Sequence, residues 1–246
     1  MGRLIVISGP SCIGKGPLCA ALAKFYPELL ARMRKLVLYN SRAPRPAEVD
    51  GVDYHFRTRA EIEALRSDDR FIVLDVRGDL QALDRETLRA ALSAGDVYFE
   101  GNPFVGRDLQ TCPLPAEAER LSIFLSPLSR EEIVFLRQPE RNISLEALVA
   151  DLMRSKLLRR TTRQKGRLSL RDLEDIERRA TSAYAEMKNA CHFDHVVPNH
   201  DGEDSENWSG FYYPIADARR TMLAVVDLLE GRKADGAETW EPELLP

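Results

Sequence analysis

A chain of 246 residues, 44% hydrophobic and 30% charged, holds enough material for one large domain or a core with a small mobile appendage. A formal charge of −4 excludes a protein built throughout to coat nucleic acid, so a nucleic-acid partner is not expected. Cys12, Cys19, Cys112 and Cys191 are scattered without a C-x-x-C pair, which argues against a zinc site or a disulfide framework and fits a reducing cytosol. The opening MGRLIVISGP has too short an apolar run for a signal peptide, and no later run reaches the roughly 18 apolar residues of a membrane span. A cytoplasmic protein without a membrane partner is the expectation.

RLIVIS (3–8) reads as a buried, β-branched strand bounded by Gly-Pro, and residues 14–29 follow as a helix. KLVLYN (35–40) is a second strand, and residues 49–58 carry a turn and a short strand. Residues 58–67 form a helix with a threonine cap, and FIVLDV (71–76) is strand-like. A helix over 84–95 ends at Gly95, and buried strands follow at 96–102 and 121–126. Helices are expected over 129–137, 144–160 and 169–190, a short strand at 195–199, and a last helix over 214–231 between Pro214 and Gly231. Strands alternating with helices predict an α/β fold whose parallel sheet is covered on both faces. The polar segment 232–246 reads as a flexible tail.

GPSCIGKG (9–16) lies between the first strand and the first helix, the context a phosphate-binding loop requires. Backbone N–H groups of Gly9, Pro10–Ile13, Gly14 and Gly16, except that of the proline, would cradle the phosphates of ATP, with the Lys15 ammonium on the β- and γ-phosphates. Ser11, Cys12 and Ile13 are the intervening residues. The Ser or Thr hydroxyl that ligates Mg²⁺ in such loops is absent, because Gly16 and then Pro17 follow the lysine. Mg²⁺ would then depend on phosphates, waters and a carboxylate from another strand. Glu100, at the end of DVYFE, is the candidate; a strand-end carboxylate facing water is the alternative.

Residues 41–56 place Arg42 and Arg45 three apart, with Glu48 and Tyr54 following. Two guanidinium forks and a phenol hydroxyl suit a phosphate on a small acceptor, and an exposed basic loop is the alternative. Residues 154–171 hold eight Lys or Arg and no acid. An arginine-rich lid suits phosphoryl transfer, which works by positioning and by cations over the transferring group. A solvated basic helix is the other reading. Arg159, Arg160, Arg163 and Arg167 are equivalent by sequence. His192, His195 and His200 do not have metal-ligand spacing, and the aromatics of 201–214 read as docking on the core.

Arg42, Pro44, Arg45, Glu48, Gly51, Tyr54 and Phe56 follow in register the signature Arg-x-Pro-Arg-x-x-Glu-x-x-Gly-x-x-Tyr-x-Phe, and the chain thereby resembles the guanylate kinases. The phosphate loop, IFLSPLSREEI (123–133), IERRATSAYAEM (176–187) and FDHVVPN (193–199) agree in order. The resemblance implies a P-loop NTPase fold with a small acceptor-binding region and a helical lid. It divides residues 1–231 into a core (1–40, 96–136, 190–231), an acceptor-binding region (41–95) and a lid (137–189). It implies phosphoryl transfer from ATP, with Mg²⁺, to a nucleoside monophosphate, GMP by default. Arg42, Arg45 and Tyr54 become ligands of the acceptor phosphate, with Glu48 in the same motif. Arg179 matches an arginine that reaches the phosphates from the lid, with Arg163 and Arg167 as further lid candidates. Asn199 falls where the family contacts the donor adenine. Adenylate kinases, which carry Gly-Lys-Gly-Thr, work without a hydroxyl directly after the lysine.

Departures gather at the base end of the acceptor site. Leu38 stands at a base-contacting serine, FIVL (71–74) replaces a segment with a guanine-binding glutamate, and Gln81, Ala82 and Leu83 replace Tyr-Gly-Thr/Ser. Asn102 aligns with an aspartate, and Asp75 and Asp79 are the acids on hand to replace the glutamate. Loss of buried hydrogen-bond partners predicts an altered base pocket. A kinase of another phosphorylated acceptor, such as a ribose phosphate, and a catalytically weak binding module are the other readings.

Overall fold

The first apolar run forms β1 (Leu4–Ser8), completely buried, and the glycine-rich loop delivers the chain to α1 (Lys15–Phe25). After α2 (Pro27–Ala31) come β2 (Met33–Lys35), β3 (Tyr39–Asn40), β4 (His55–Phe56) and α3 (Arg59–Ala64). Then follow β5 (Phe71–Val76), β6 (Asp79–Asp84), α4 (Arg85–Ala94), β7 (Asp96–Gly101), α5 (Pro103–Thr111) and β8 (Arg120–Ser126). The C-terminal part holds α6 (Arg130–Leu136), α7 (Leu145–Lys165), α8 (Leu170–Thr181), α9 (Ala183–Met187), β9 (His195–Pro198) and α10 (Ala216–Leu229). The computed structural model describes residues 1–45 and 48–245.

The main sheet has the order β2-β7-β1-β8-β9, parallel throughout. Side chains of β1 alternate between its faces. Leu4 and Val6 join a cluster with α5, α7 and α8, whereas Ile5 and Ile7 join one with α1 and α10. Both faces are therefore covered by helices, as the alternating pattern requires. The in-register pairs Ile7↔Glu100 and Ser8↔Gly101 end β1 and β7 together, bringing Glu100 beside the phosphate loop.

A second sheet, β4-β3-β6-β5, has its own small core of Ile62, Leu80 and Ala82. The predicted strand 35–40 is in fact divided between the two sheets. Met33–Lys35 pairs with β7, Tyr39–Asn40 pairs with β6, and Leu36 and Leu38 line the cavity between the sheets. Sequence reading assigned no element to β6. It is the return strand of a hairpin whose two-residue turn, Arg77–Gly78, has positive φ at both positions (53° and 86°). Arg-Gly is not a usual choice for such a turn, so no hairpin signal marks it. α5 was also missed, although Asn102 as cap and Pro103 at the first position are ordinary start signals. The expected helix 169–190 is broken at Ser182 into α8 and α9.

The C-terminal segment is packed rather than loose, which corrects the reading from composition. Val196 and Glu238 exchange backbone hydrogen bonds of 2.7 Å, extending the sheet at β9. Trp240, Leu244 and Leu245 are buried in the main cluster, and Arg137 donates to the carbonyls of Glu243 and Leu244. Composition could not reveal this, because three apolar side chains suffice to anchor a polar segment. Trp240→Ala should therefore lower stability by about 3 kcal/mol or more, read as a shifted urea midpoint at unchanged slope.

Candidate active site

The phosphate loop is shaped by conformations that only certain residues tolerate. Gly14 has φ 104°, and a Cβ there would lie 2.7 Å from Asn199 Nδ2 and 2.8 Å from the Asp201 carbonyl. Gly16 differs: its surroundings are open, with nothing within 4 Å of a would-be Cβ. α1 begins without a side-chain cap and without an acid in its first turn, leaving its N-terminal N–H groups and dipole to an anion. Lys15 is buried and turns back on the loop, its Nζ donating to the carbonyls of Gly9 (2.8 Å) and Pro10 (2.9 Å). Burial lowers its pKa, opposed by the charges of Glu100 and Glu203. Glu100 makes no hydrogen bond or ion pair among the described residues. Burial pushes its pKa up, against the pull of Lys15.

One cavity joins this loop to the second sheet. Gly9, Ser11, Cys12 and Lys15 line one side, and Arg42, Arg45, Glu48, Tyr54 and Gln81 the other. Arg42 and Glu48 form a fork with two contacts of 2.6 Å, and Glu48 also accepts the Arg45 N–H. Burial would raise the Glu48 carboxyl, but these donors hold it below its ordinary value. Arg45 has no side-chain hydrogen bond or ion pair among the described residues; partial withdrawal from bulk solvent, then the Arg42 charge, lower its pKa. The Tyr54 ring lies 5.2 Å from the Arg42 guanidinium.

Farther in, the wall turns apolar with Leu36, Leu38, Val76 and Phe99. Asn40 and Gln81 face each other across β3 and β6, and the buried Gln81 Oε1 has no hydrogen-bond partner among the described residues. Asn102 lines the cavity, but its amide is committed: Oδ1 accepts the Phe104 N–H at 2.9 Å, and Nδ2 donates to Glu186 at 3.3 Å. Asp75 lies outside the cavity, exposed and paired with Arg66, whereas Asp79 lines it. Strand alternation explains the difference, since Val73 and Asp75 share the face of β5 opposite Val76.

The arginines of α7, α8 and the turn between them separate by position. Arg179 is buried and donates to Ser11 Oγ at 3.1 Å, and burial, then Arg160 and Arg45, lower its pKa to about 9. Arg160 lines the cavity and pairs with Glu203. Arg163 binds the Asp204 carbonyl and Glu206 outside the cavity, and Arg167 is exposed in the turn after α7. Asn199 is completely buried, donating to the Ile13 carbonyl at 2.6 Å, so it braces the phosphate loop from behind.

Sequence reading missed Arg77. At the hairpin tip it donates to Ser11 Oγ (2.9 Å) and to the buried Glu186 (2.6 Å). Its positive φ of 53° is uncommon for a non-glycine residue and belongs to the two-residue turn; no sequence motif announces it. Glu186 and Glu203 also escaped notice, although both lie in stretches singled out for other features.

The sequence profile of the guanylate kinases matches residues 1–91. The chain is 32% identical over 218 residues to the guanylate kinase of Synechococcus sp. (strain JA-3-3Ab), covering 87% of this chain and 83% of that one. The chain belongs to the guanylate kinase family. It is thus a nucleoside monophosphate kinase by descent. The guanylate kinase of Bartonella quintana is 29% identical over 229 residues, covering 92% and 87% of the two chains. The crystal structure of guanylate kinase from Anaplasma phagocytophilum shares the fold, with a TM-score of 0.53 at 19% identity over 94% of this chain and 85% of that one.

The raised pKa of Glu100 has a stability consequence. Folded Glu100 binds its proton more tightly than unfolded Glu100, so the ionised form costs stability at neutral pH. The cost is absent below the ordinary glutamate range and grows as pH rises through it. Without nucleotide, Glu100→Gln should be more stable than the parent at pH 7.5. The gain should disappear near pH 4, about the ordinary value, in urea titrations at both pH values.

Proposed function

We propose that this guanylate kinase family member transfers the terminal phosphoryl group of ATP to a nucleoside monophosphate, with GMP as the family acceptor: GMP + ATP → GDP + ADP. The observation that carries this reading is that the phosphate loop and the Arg42–Arg45–Tyr54 group line one cavity. In this reading the loop holds the donor, Arg42, Arg45 and Tyr54 hold the acceptor phosphate, and Arg179 spans the two. The acceptor-binding region is 41–95, the lid 137–189 and the core the remainder to 231.

Mg²⁺ accompanies ATP in this reading, and the residues fit it. Glu100 is a hard oxygen donor without a hydrogen-bond or ion-pair partner among the described residues, withheld from bulk water beside the loop. The ion would neutralise phosphate charge there. Gly16 contributes no oxygen.

We further propose that guanine selectivity is relaxed. A carboxylate accepts both N–H groups of a guanine edge; β3 and β6 present instead the Asn40 and Gln81 amides, one acceptor and one donor group each, with Asn40 Oδ1 already accepting the Arg42 N–H, and Asp79 is the carboxylate that lines the cavity from β6. The amide pair at that place also favours, as a second reading, another phosphorylated acceptor such as a ribose phosphate. The deciding measurement is ADP formation with GMP, AMP and ribose phosphate. GMP and AMP should differ by less than about a hundredfold in kcat/KM, or roughly 3 kcal/mol. Strong GMP selectivity would overturn the relaxed pocket, and no turnover with any acceptor would overturn the kinase reading.

Arg45→Ala should weaken acceptor binding about ten- to a hundredfold, the effect of one charge-assisted contact, while ATP affinity stays unchanged. Gly16→Ser meets no steric obstacle and restores a hydroxyl oxygen. Mg²⁺ dependence of turnover should shift to lower concentration, and a loss of activity would show that the loop requires glycine there.

A further inference from the structure

The segment after β9, expected only to dock aromatics, touches both walls of the donor site. Its Trp208 is buried, whereas Phe211 and Tyr212 remain exposed. On the loop side, Asn199 braces Ile13, and the Glu203 N–H donates to the Cys12 carbonyl at 3.2 Å. Gly202 approaches so closely that a Cβ there would lie 2.3 Å from the Cys12 carbonyl oxygen. On the helix side, Arg159 pairs with Asp204 at 2.7 Å, Lys156 donates to the His200 carbonyl, and Arg160 pairs with Glu203. Acidic residues thus tie the basic helix α7 to the phosphate loop.

Glu203 is the side chain of this segment that enters the cavity. Glu203 and Arg160 keep only 19% and 17% of their side-chain exposure, so solvent screens their pair weakly. Burial would raise the Glu203 carboxyl, but Arg160, then Lys15, hold it below its ordinary value, and Arg179 adds to them. These are the cations a bound polyphosphate would use. A carboxylate among them competes with phosphate oxygens for the same charge.

We infer that Glu203 is a built-in occupant of the donor-phosphate cradle, and that ATP binds by taking Arg160 from it. The inference rests on the nucleotide reading of the phosphate loop. It makes Glu203 a brake on nucleotide affinity, and it has ATP binding undo one of the ties between α7 and the 200–206 segment, leaving the Arg159–Asp204 pair in place.

The test is calorimetric titration of ATP, with Mg²⁺ and separately with EDTA, and of adenosine. The proteins are the parent, Glu203→Gln, Glu206→Gln and Lys15→Ala. Glu206 pairs with Arg163 at the surface, with 80% of its side chain exposed, and controls for a general change of charge. Glu203→Gln should bind ATP roughly tenfold more tightly in both buffers, with adenosine unchanged and Glu206→Gln like the parent. Equal or weaker ATP binding by Glu203→Gln, with Lys15→Ala still abolishing binding, would overturn the occupant and leave the nucleotide site standing. That result would make Glu203 a residue that positions Arg160 or a metal. Equal tightening by Glu206→Gln, or of adenosine, would overturn it too. Absence of ATP binding in folded parent and folded Glu203→Gln would overturn both readings.

Discussion

Among the described residues, eight cationic side chains line the cavity above the parallel sheet, and six carboxylates line it with them. Like charges confined in a space that excludes much of the solvent repel strongly, so each must find a partner or have its protonation equilibrium shifted. Arg42 takes Glu48, Lys35 takes Asp53, and Arg160 takes Glu203. Arg77 takes the buried Glu186 behind the wall. Arg45 finds no ion-pair partner among the described residues, and Arg179 is lowered to about 9 by burial and its cationic neighbours. The result is a site with unbalanced positive charge, which phosphate groups would complete.

That balance depends on four distant parts of the chain converging. Register between β1 and β7 brings Glu100 to Lys15. The change of sheets between Lys35 and Tyr39 opens the cavity and lines it with Leu36 and Leu38. A hairpin turn with two positive φ angles aims Arg77 at Ser11, where Arg179 arrives from α8. The segment after β9 supplies the acids for α7. Ser11 Oγ, receiving Arg77 from the second sheet and Arg179 from α8, is the atom at which the hairpin and α8 meet on the glycine-rich loop.

The side of the cavity formed by the second sheet carries a gradient from charge to apolar surface. Guanidinium groups at one end suit a phosphate, whereas the leucines and Phe99 at the other offer contact without hydrogen bonds. The amide pair Asn40–Gln81 lies on the opposed strands β3 and β6. An orphaned Gln81 Oε1 is a buried polar atom whose desolvation a ligand donor would compensate. Asn102 cannot serve in that way, because capping α5 and bonding Glu186 use both ends of its amide.

Much of the fold could be read from local sequence. Strand β1, the glycines of the loop, α1, the spaced arginines and α10 carry signals within a few residues: an apolar run, a required left-handed glycine, a cap. Gly9 and Gly14 are legible because the loop needs positive φ at both, 154° and 104°, which glycine adopts without strain. The spacing of Arg42, Arg45 and Tyr54 is legible because one loop and one short strand suffice to present all three. Asp75 and Asp79 could not be separated, since the hairpin register determines which face each occupies. Arg160 could not be separated from Arg163 and Arg167, since one helix presents all but the last and only its packing chooses the inward side. Arg77, Glu186 and Glu203 belong to no local pattern, and their meaning comes from partners 43 to 109 residues away along the chain. The sequence by itself determined the glycine-rich loop between β1 and α1, the spacing of Arg42, Arg45 and Tyr54 and the alternating α/β plan, because steric and periodic rules act over short spans. Only the tertiary structure decided which arginines face the cavity, which carboxylates neutralise them and that the C-terminal segment is anchored, because electrostatic pairing and burial depend on distances that the chain acquires on folding.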